Sequence, residues 1–384
     1  MSLRRLLAVA SKELREILRD RVFCLLTFLM PPMMMLVFGY GMSQDVDNVP
    51  FVIVDYDHSP MSRDYAYHYI ASRYFRFQGY ARSEREADNR MAHGDIRFIL
   101  VLPERFQERL ASGRSVAVQS LLDGTFTVPC RTIKGYVEAV SSEASAEIQM
   151  EYVARYAGIP SERARDMAQP LNIEIRYLYN QEMRTIWTVA PLLIMIILIW
   201  TTPLLMALSV VREKETGSIY NMYSSTLSRW EYLIGKLLPN VGFSCFNAVL
   251  LFCLATFYYG APFKGNLPAF ALATLLYVMA ISGYGLLISL LVRIQQAALI
   301  ISIILASIIM DQYSGMNTPI ADMTGPNYVV AHLFPAMYYN NVIANAFLKG
   351  GGMRELWPDV LALAVYVLVI LNVVHWLFRK RVQA

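Results

Sequence analysis

Charge is what this 384-residue chain has least of: 17% of its residues are Asp, Glu, Lys or Arg, while 56% are hydrophobic. Soluble domains run near about 25% charged and about 45–50% apolar. An ordinary soluble enzyme is thereby excluded, and so is a disordered or fibrous chain. The net charge is +4 (34 − 30), too small to point to nucleic acid. Cysteine is scarce: Cys24, Cys130, Cys245 and Cys253. Cys245 and Cys253 stand in an apolar run with no His or acid nearby, so they read as small buried hydrophobes and no metal site is expected. The phosphate-binding pattern G-x-x-x-x-G-K-[ST] is missing; Gly235-Lys236 is followed by Leu237, which has no hydroxyl for magnesium. If the chain takes part in driven transport, the energy comes from an ion gradient or from another chain.

The charge that is present is segregated. Residues 42–184 hold 17 basic and 20 acidic residues, net −3, and the other 241 residues hold 17 and 10, net +7. Only Cys130 lies in the charged block, so no disulfide can form within it. A bilayer core of about 30 Å needs about 20 apolar helical residues. Six segments meet this: 22–41, 185–211, 232–260, 265–292, 294–311 (at the lower limit) and 358–378. Met323–Leu348 is also uncharged, but it carries Pro326, Pro335, Asn327, Asn340, Asn341, Asn345 and His332. Their backbone and amide groups are costly in lipid, so 312–357 reads as an extracellular re-entrant hairpin buried in protein.

Lys and Arg near the span ends set orientation. Arg4, Arg5, Lys12, Arg15, Arg19 and Arg21 precede span one; Arg212, Lys214, Arg229 and Lys236 follow span two. Arg293 separates spans four and five, and Arg379, Lys380 and Arg381 follow span six. With six spans all four places fall on one side, and both termini are cytoplasmic. A signal peptide is the rival reading of the N-terminus, but no A-x-A-like site follows the apolar run. Within residues 1–21, Leu3, Leu6, Leu7, Ala10, Leu14, Ile17 and Leu18 recur at helical spacing, as expected of an amphipathic helix on the membrane surface. A loose basic flank is the alternative.

The insert, 42–184, is then external. It alternates strand signals (Phe51–Val54, Tyr74–Gln78, Ile96–Leu102, Val116–Leu122) with helix signals (Met61–Arg73, Glu84–His93, Phe106–Ser112, Pro129–Tyr156). That order predicts a small α/β sheet with crossovers. Asp55, Asp57, His58 and Ser59 resemble a catalytic cluster but are better read as the end of a strand and the cap of the next helix. The expected fold is thus a polytopic α-helical membrane protein with six transmembrane helices and an inserted α/β extracytoplasmic domain.

The loop 212–231 is short and dense in alternating charge: Arg212-Glu213-Lys214-Glu215-Thr216-Gly217-Ser218, then Leu227-Ser228-Arg229-Trp230-Glu231, leading to Gly235-Lys236 and Pro239. Alternating charge can be a solvated helix face; it can also be a short helix that docks into a partner's groove. On these residues the chain resembles the ABC type-2 permease family, in its bacterial multidrug-export-like branch. The family's R-E-x-E-x-G-[ST] run followed by L-x-R-x-E-x-x-x-G-K-x-x-P is matched here. So are Lys12, Glu13, Arg19, Asp20, Arg21, Pro31, Gly39 and Tyr40 near the N-terminus, and Pro335, Tyr338, Phe347, Leu348, Lys349, Gly350, Leu356, Trp357 and Pro358 near the C-terminus. Two positions depart: Thr226 stands where the family often has proline, and Met310-Asp311-Gln312-Tyr313 precedes Ser314-Gly315 where the family has another.

The resemblance implies a permease subunit in a bacterial inner membrane, exporting an amphipathic or lipophilic substrate. It implies ABC ATPase subunits as partners, with ATP and magnesium held on them, and a second permease copy, identical or paralogous. A periplasmic adaptor is a further candidate; the bilayer is the surrounding partner, and nucleic acid is not one. The implied coupling interface is Arg212, Glu213, Lys214, Glu215, Gly217, Ser218, Arg229, Glu231 and Lys236, with Lys12, Glu13, Arg19 and Asp20 on the neighbouring helix. Asp311 is a candidate for the substrate pathway, since ionisable residues at membrane depth are functional by default. An interfacial carboxylate touching water is its plainer reading. A membrane receptor with a ligand-binding external domain is the rival function, but it needs an output domain that this sequence does not show. An ion-coupled carrier or intramembrane enzyme needs several intramembrane acids, and only Asp311 is close.

Overall fold

A computed structural model describes residues 2–41, 48–125, 127–157, 179, 184–316 and 320–378. The chain divides into two compact units, one built from both ends of the sequence and one from residues 44–176.

Among the described residues, the first unit contains six helices long and apolar enough to cross a membrane: Arg21–Gly41, Thr185–Glu215, Arg229–Tyr258, Leu267–Leu291, Gln295–Tyr313 and Met353–Leu377, hereafter spans one to six. Span two is the axis of this unit. Nearly every residue from Ala190 to Val211 is buried, so other helices rather than lipid surround it. Its 31 residues make a rod of about 46 Å, longer than a bilayer core. The expectation ended this span at Val211; the helix continues to Glu215. It can do so because the charged residues of its last turn find partners, as described below.

Close approach around this axis depends on small residues. A Cβ on Gly285 of span four would lie 2.4 Å from the Pro203 carbonyl oxygen of span two, so only glycine permits the contact. Tyr277 of span four stacks on Tyr339 at 4.2 Å, and Tyr339 shares a hydrogen bond with Thr274 at 2.9 Å. Tyr339 belongs to the segment between spans five and six, which folds into the short helices Pro326–Ala331 and Pro335–Ala344, the latter continued by a π turn. Pro335 opens its helix where no donor is needed. Ala336, Tyr339, Val342, Ile343 and Phe347 are buried, so this uncharged stretch packs into the bundle instead of crossing it.

The second unit is a four-stranded sheet, order β2-β1-β3-β4, with β1 Val49–Asp55, β2 Phe75–Tyr80, β3 Phe98–Leu102 and β4 Gln119–Leu122. β1 pairs in parallel with β2 and β3, and β4 runs antiparallel to β3. The central strands are covered on both faces, which is why they read as continuous apolar runs. Phe51, Phe75 and Phe98 fill one face, covered by Tyr69 of the helix Pro60–Ala71 and by the long helix Thr127–Ala157. Val52, Val54, Ile99 and Val101 pack on the other face with Ala87 of the helix Glu84–Ala92. Asp55 ends its strand by accepting the Asp57 and His58 amides, both at 3.0 Å, and Ser59 caps the next helix by accepting the Ser62 amide at 3.1 Å. The acid-rich cluster is local turn and cap chemistry.

Gly285→Ala is expected to overpack the contact between spans two and four, at about 1–3 kcal/mol, and to lower the thermal unfolding temperature of the purified protein. Gly242→Ala, inside the helix of span three where an added Cβ meets nothing within 4 Å, is the control and does not lower it.

Candidate functional site

One end of the bundle collects most of the charges of the first unit. The helix Leu3–Arg19 lies across it with two faces. Leu6, Ala10, Glu13 and Ile17, spaced four, three and four apart, are buried. Leu3, Leu7, Leu14 and Leu18 form a separate exposed apolar stripe, as a helix lying at a lipid surface requires. Its start is pinned by the Ser2 amide, which donates to Glu231 Oε1 at 2.6 Å, and by Arg5, which donates to the Thr226 carbonyl at 3.0 Å. Midway, a Cβ on Gly235 of span three would sit 2.7 Å from the Val9 Cβ, so glycine there admits the helix.

The buried face brings Glu13 to Lys236 of span three. The two form a direct ion pair, each about 1% exposed. Lys236 Nζ also lies 3.2 Å from Glu213 Oε1 and donates to the Ser209 carbonyl and hydroxyl, both at 3.3 Å. Glu213 accepts from Lys12 at 2.6 Å and from the Tyr232 hydroxyl at 2.8 Å. Arg212 reaches Asp20 at 2.7 Å and Glu16 at 3.9 Å, with its guanidinium over the Phe23 ring. Buried charges are tolerated only when paired and hydrogen-bonded, and nearly every oxygen here meets that condition. Glu13 Oε1 is the exception; it has no hydrogen-bond partner among the described residues. Glu13, Glu16 and Glu213 each bring an oxygen within 4.8 Å of the others, a spacing a cation could use. The ammonium groups of Lys12 and Lys236 already stand at ion-pair distance from them. Burial pulls the Lys12 amine down, but its hydrogen bond and charge contact with Glu213, backed by Glu16, outweigh burial and leave its pKa raised.

The four residues that end span two reach in different directions. Arg212 and Glu213 hold the N-terminal helix. Lys214 donates to the Ser289 carbonyl and, at 3.2 Å, to the Val292 carbonyl, closing the end of span four. Glu215 accepts the Gln295 amide at 2.7 Å and also its side-chain amide, capping the start of span five. Gly217 then turns the chain with φ +73°, a conformation that favours glycine. A six-residue helix, Ile219–Ser224, follows. Ser228 and Glu231 form a capping box that starts span three.

The nine loop residues grouped as one interface therefore divide. Glu213, Glu231 and Lys236 are buried within the chain and serve its own junction. Glu215 and Arg229 are exposed; Arg212, Lys214, Gly217 and Ser218 are half-buried. Of the four residues on the N-terminal side, Glu13 is buried, while Arg19 and Asp20 line an open groove of about 520 Å³ shared with Glu16, Arg212, Thr216 and Ser218. Asp311 is not part of this site. It lies exposed near the other end of span five, sixteen residues from Gln295, about 24 Å along the helix.

Sequence reasoning missed a polar seam that continues from Lys236 into the bundle. Asn240, Ser244 and Asn247 follow it on one buried face of span three. Ser244 accepts from Thr202 of span two at 3.0 Å, and Asn240 donates to the Thr202 carbonyl at 3.4 Å. Asn247 donates to the Thr27 carbonyl of span one at 2.8 Å. That carbonyl lacks helical donors because the residues four and five ahead are Pro31 and Pro32. The signal was present in the spacing of Lys236, Asn240, Ser244 and Asn247, but it was hidden inside a run counted only as apolar. His375 stacks on Trp230 at 4.2 Å as a contact between spans six and three.

A family model described as ABC-2 family transporter protein matches residues 21–374. The chain is similar to "Probable multidrug ABC transporter permease YbhS" of Escherichia coli (strain K12), with 26% identity over 386 residues, covering 99% of this chain and 98% of that one. It is also similar to "Probable multidrug ABC transporter permease YbhR" of the same organism, with 23% identity over 380 residues and 99% of each chain covered. A more distant relative, ABC transporter G family member 20 of Dictyostelium discoideum, is 20% identical over 371 residues, which is 95% of this chain and 49% of that one.

Glu13→Ala removes one of the two carboxylates that the buried Lys236 ammonium faces, leaving it Glu213 and the Ser209 oxygens, and is expected to cost about 1–3 kcal/mol at the junction. Hydrogen exchange over Leu3–Arg19 should rise, and the double substitution E13M/K236M should restore most of the protection. The Lys12 tether has the sign of a raised lysine: it is fully formed through neutral pH and is lost as pH rises through the elevated pKa. Exchange of the N-terminal helix should therefore stay flat across neutral pH, after correction for intrinsic rates, and increase only in strong alkali.

Proposed function

Because the chain belongs to the ABC-2 family transporter proteins, and is the permease subunit of an ATP-binding-cassette exporter, we propose that the charged junction is where its ATPase partner drives it. The observation that carries this reading is the fan of bonds from Arg212–Glu215. These four residues tie the end of span two to the N-terminal helix, to span four and to span five, while Tyr232 and Lys236 of span three close on Glu213.

A push on the exposed turn from Thr216 to Arg229 is then shared at once by several spans. The polar seam keeps spans two and three in register as they move, since sliding would break its buried bonds without replacement. The open groove beside Arg19 and Asp20 supplies mixed charge for a partner surface. ATP and magnesium are held by the ATPase, and the permease converts its closure into rearrangement of the spans.

The abundance of Lys and Arg at this junction supports a cytoplasmic location for it, with both termini inside and the inserted domain in the periplasm of a bacterial inner membrane. That YbhS and YbhR are two different relatives from one organism supports assembly with a paralogue, a second identical copy being the alternative. The inserted domain is then placed to meet an adaptor. The word multidrug in both relatives' names, together with a cavity of about 190 Å³ lined by Trp187, Pro191, Met316 and Phe347, supports an amphipathic or lipophilic substrate.

Tyr220→Asp combined with Arg229→Glu alters the exposed turn and leaves the buried junction intact. Substrate-stimulated ATP turnover of the reconstituted complex is expected to fall at least tenfold, with exchange over Leu3–Arg19 unchanged. Unaltered turnover and transport would remove this loop from the coupling path.

A further inference from the structure

The inserted domain carries a groove of about 390 Å³, within the size range of small-molecule sites, which is about 300–1,000 Å³. Its floor is Tyr65 and Phe106, both buried. Leu110, Val116, Val118 and Ile148 form apolar walls, and Ser115 and Ser145 stand exposed at the mouth. The third hydroxyl, Ser141, is held in place by Tyr65 at 3.1 Å and Tyr69 at 2.6 Å.

Two features separate this groove from an incidental gap. None of the described residues that line it is charged, although 37 (17 + 20) of the 143 residues of the insert are. At that density, about two of nine lining residues would carry a charge. The long helix also presents Ser141 and Ser145 there, side chains too small to fill the space, while larger ones such as Tyr136 and Val140 pack in the core. We propose that this groove binds an uncharged, largely apolar molecule carrying a hydroxyl or carbonyl oxygen. Its apolar body covers the walls and the Tyr65–Phe106 floor, and its oxygen bonds to the serine hydroxyls. A carboxylate or ammonium finds no counter-charge in this lining, so charged analogues are disfavoured. The nine lining residues all belong to the inserted domain, so the proposal requires neither ATP nor the coupling junction and stands whether or not the transport reading does.

The test uses the full-length protein in phosphatidylcholine nanodiscs with two photoreactive probes: a diazirine-bearing long-chain alcohol and the matching carboxylic acid. After irradiation, adducts are mapped by mass spectrometry. The alcohol is expected to label the peptides spanning Ser115–Val118 and Ser141–Ile148, with at least fivefold less labelling by the ionised acid. Labelling of the lipid-facing spans serves as the internal reference. Ser145→Trp, and independently Ser115→Trp on the opposite rim, should each reduce groove labelling at least fivefold without changing labelling of the spans. Adducts confined to the spans, or equal groove labelling by alcohol and acid, would overturn the site. So would a tryptophan variant with an unchanged unfolding temperature that labels like the parent. The comparison of alcohol with acid needs no variant and holds even if a substitution unfolds the domain.

Discussion

A lysine ammonium and a glutamate carboxylate, Lys236 and Glu13, meet where neither reaches water. The geometry of the whole junction answers to that pair. Left alone, either ion would be costly in the interior; paired, they are tolerated there, with Glu13 on the face of the N-terminal helix that packs on span three. Glu213 extends the pair into a chain by approaching Lys236 and accepting from Lys12 and Tyr232. Once that carboxylate is fixed, the helix of span two continues through the charged residues that would otherwise have ended it. Lys214 and Glu215 then fall where spans four and five can be held.

The same logic of forced satisfaction runs along span three. Pro31 and Pro32 deprive Thr27 of helical donors, and Asn247 supplies one from a neighbouring helix. Asn240 and Ser244 bond to Thr202 in the same way. Each polar group placed in an apolar environment must find its partner in another helix, so these groups specify which faces meet. Gly285 and Gly235 set how closely, since each stands where a side chain would strike its neighbour. Polar residues fix register and small residues fix distance; the abundant Leu, Ile and Val supply bulk without choosing between alternative packings.

In the inserted domain the choice is made by caps and apolar alternation. Asp55 and Ser59 spend their oxygens on nearby amides and thereby turn β1 into the following helix. The aromatic layer around Phe51 and Phe98 closes one face, and small residues on the long helix leave the uncharged groove beside it.

The sequence by itself determined the class of this protein. Six spans follow from apolar, charge-poor runs long enough for a bilayer, and the α/β insert from alternating strand and helix signals ended by Asp, Ser and Pro. Both are local properties, because apolar length and capping residues act within a few turns of chain. The motif residues near 12–20 and 212–236 were legible as important, but not in what they do. Sequence order could not show that Glu13 and Lys236, more than two hundred residues apart, are one ion pair, or that Glu213 faces inward while Glu215 faces span five. Those assignments depend on which helix faces pack together. Only the tertiary structure decides this, because a charged residue has the same side chain whether it is solvated, paired in the interior or offered to a partner.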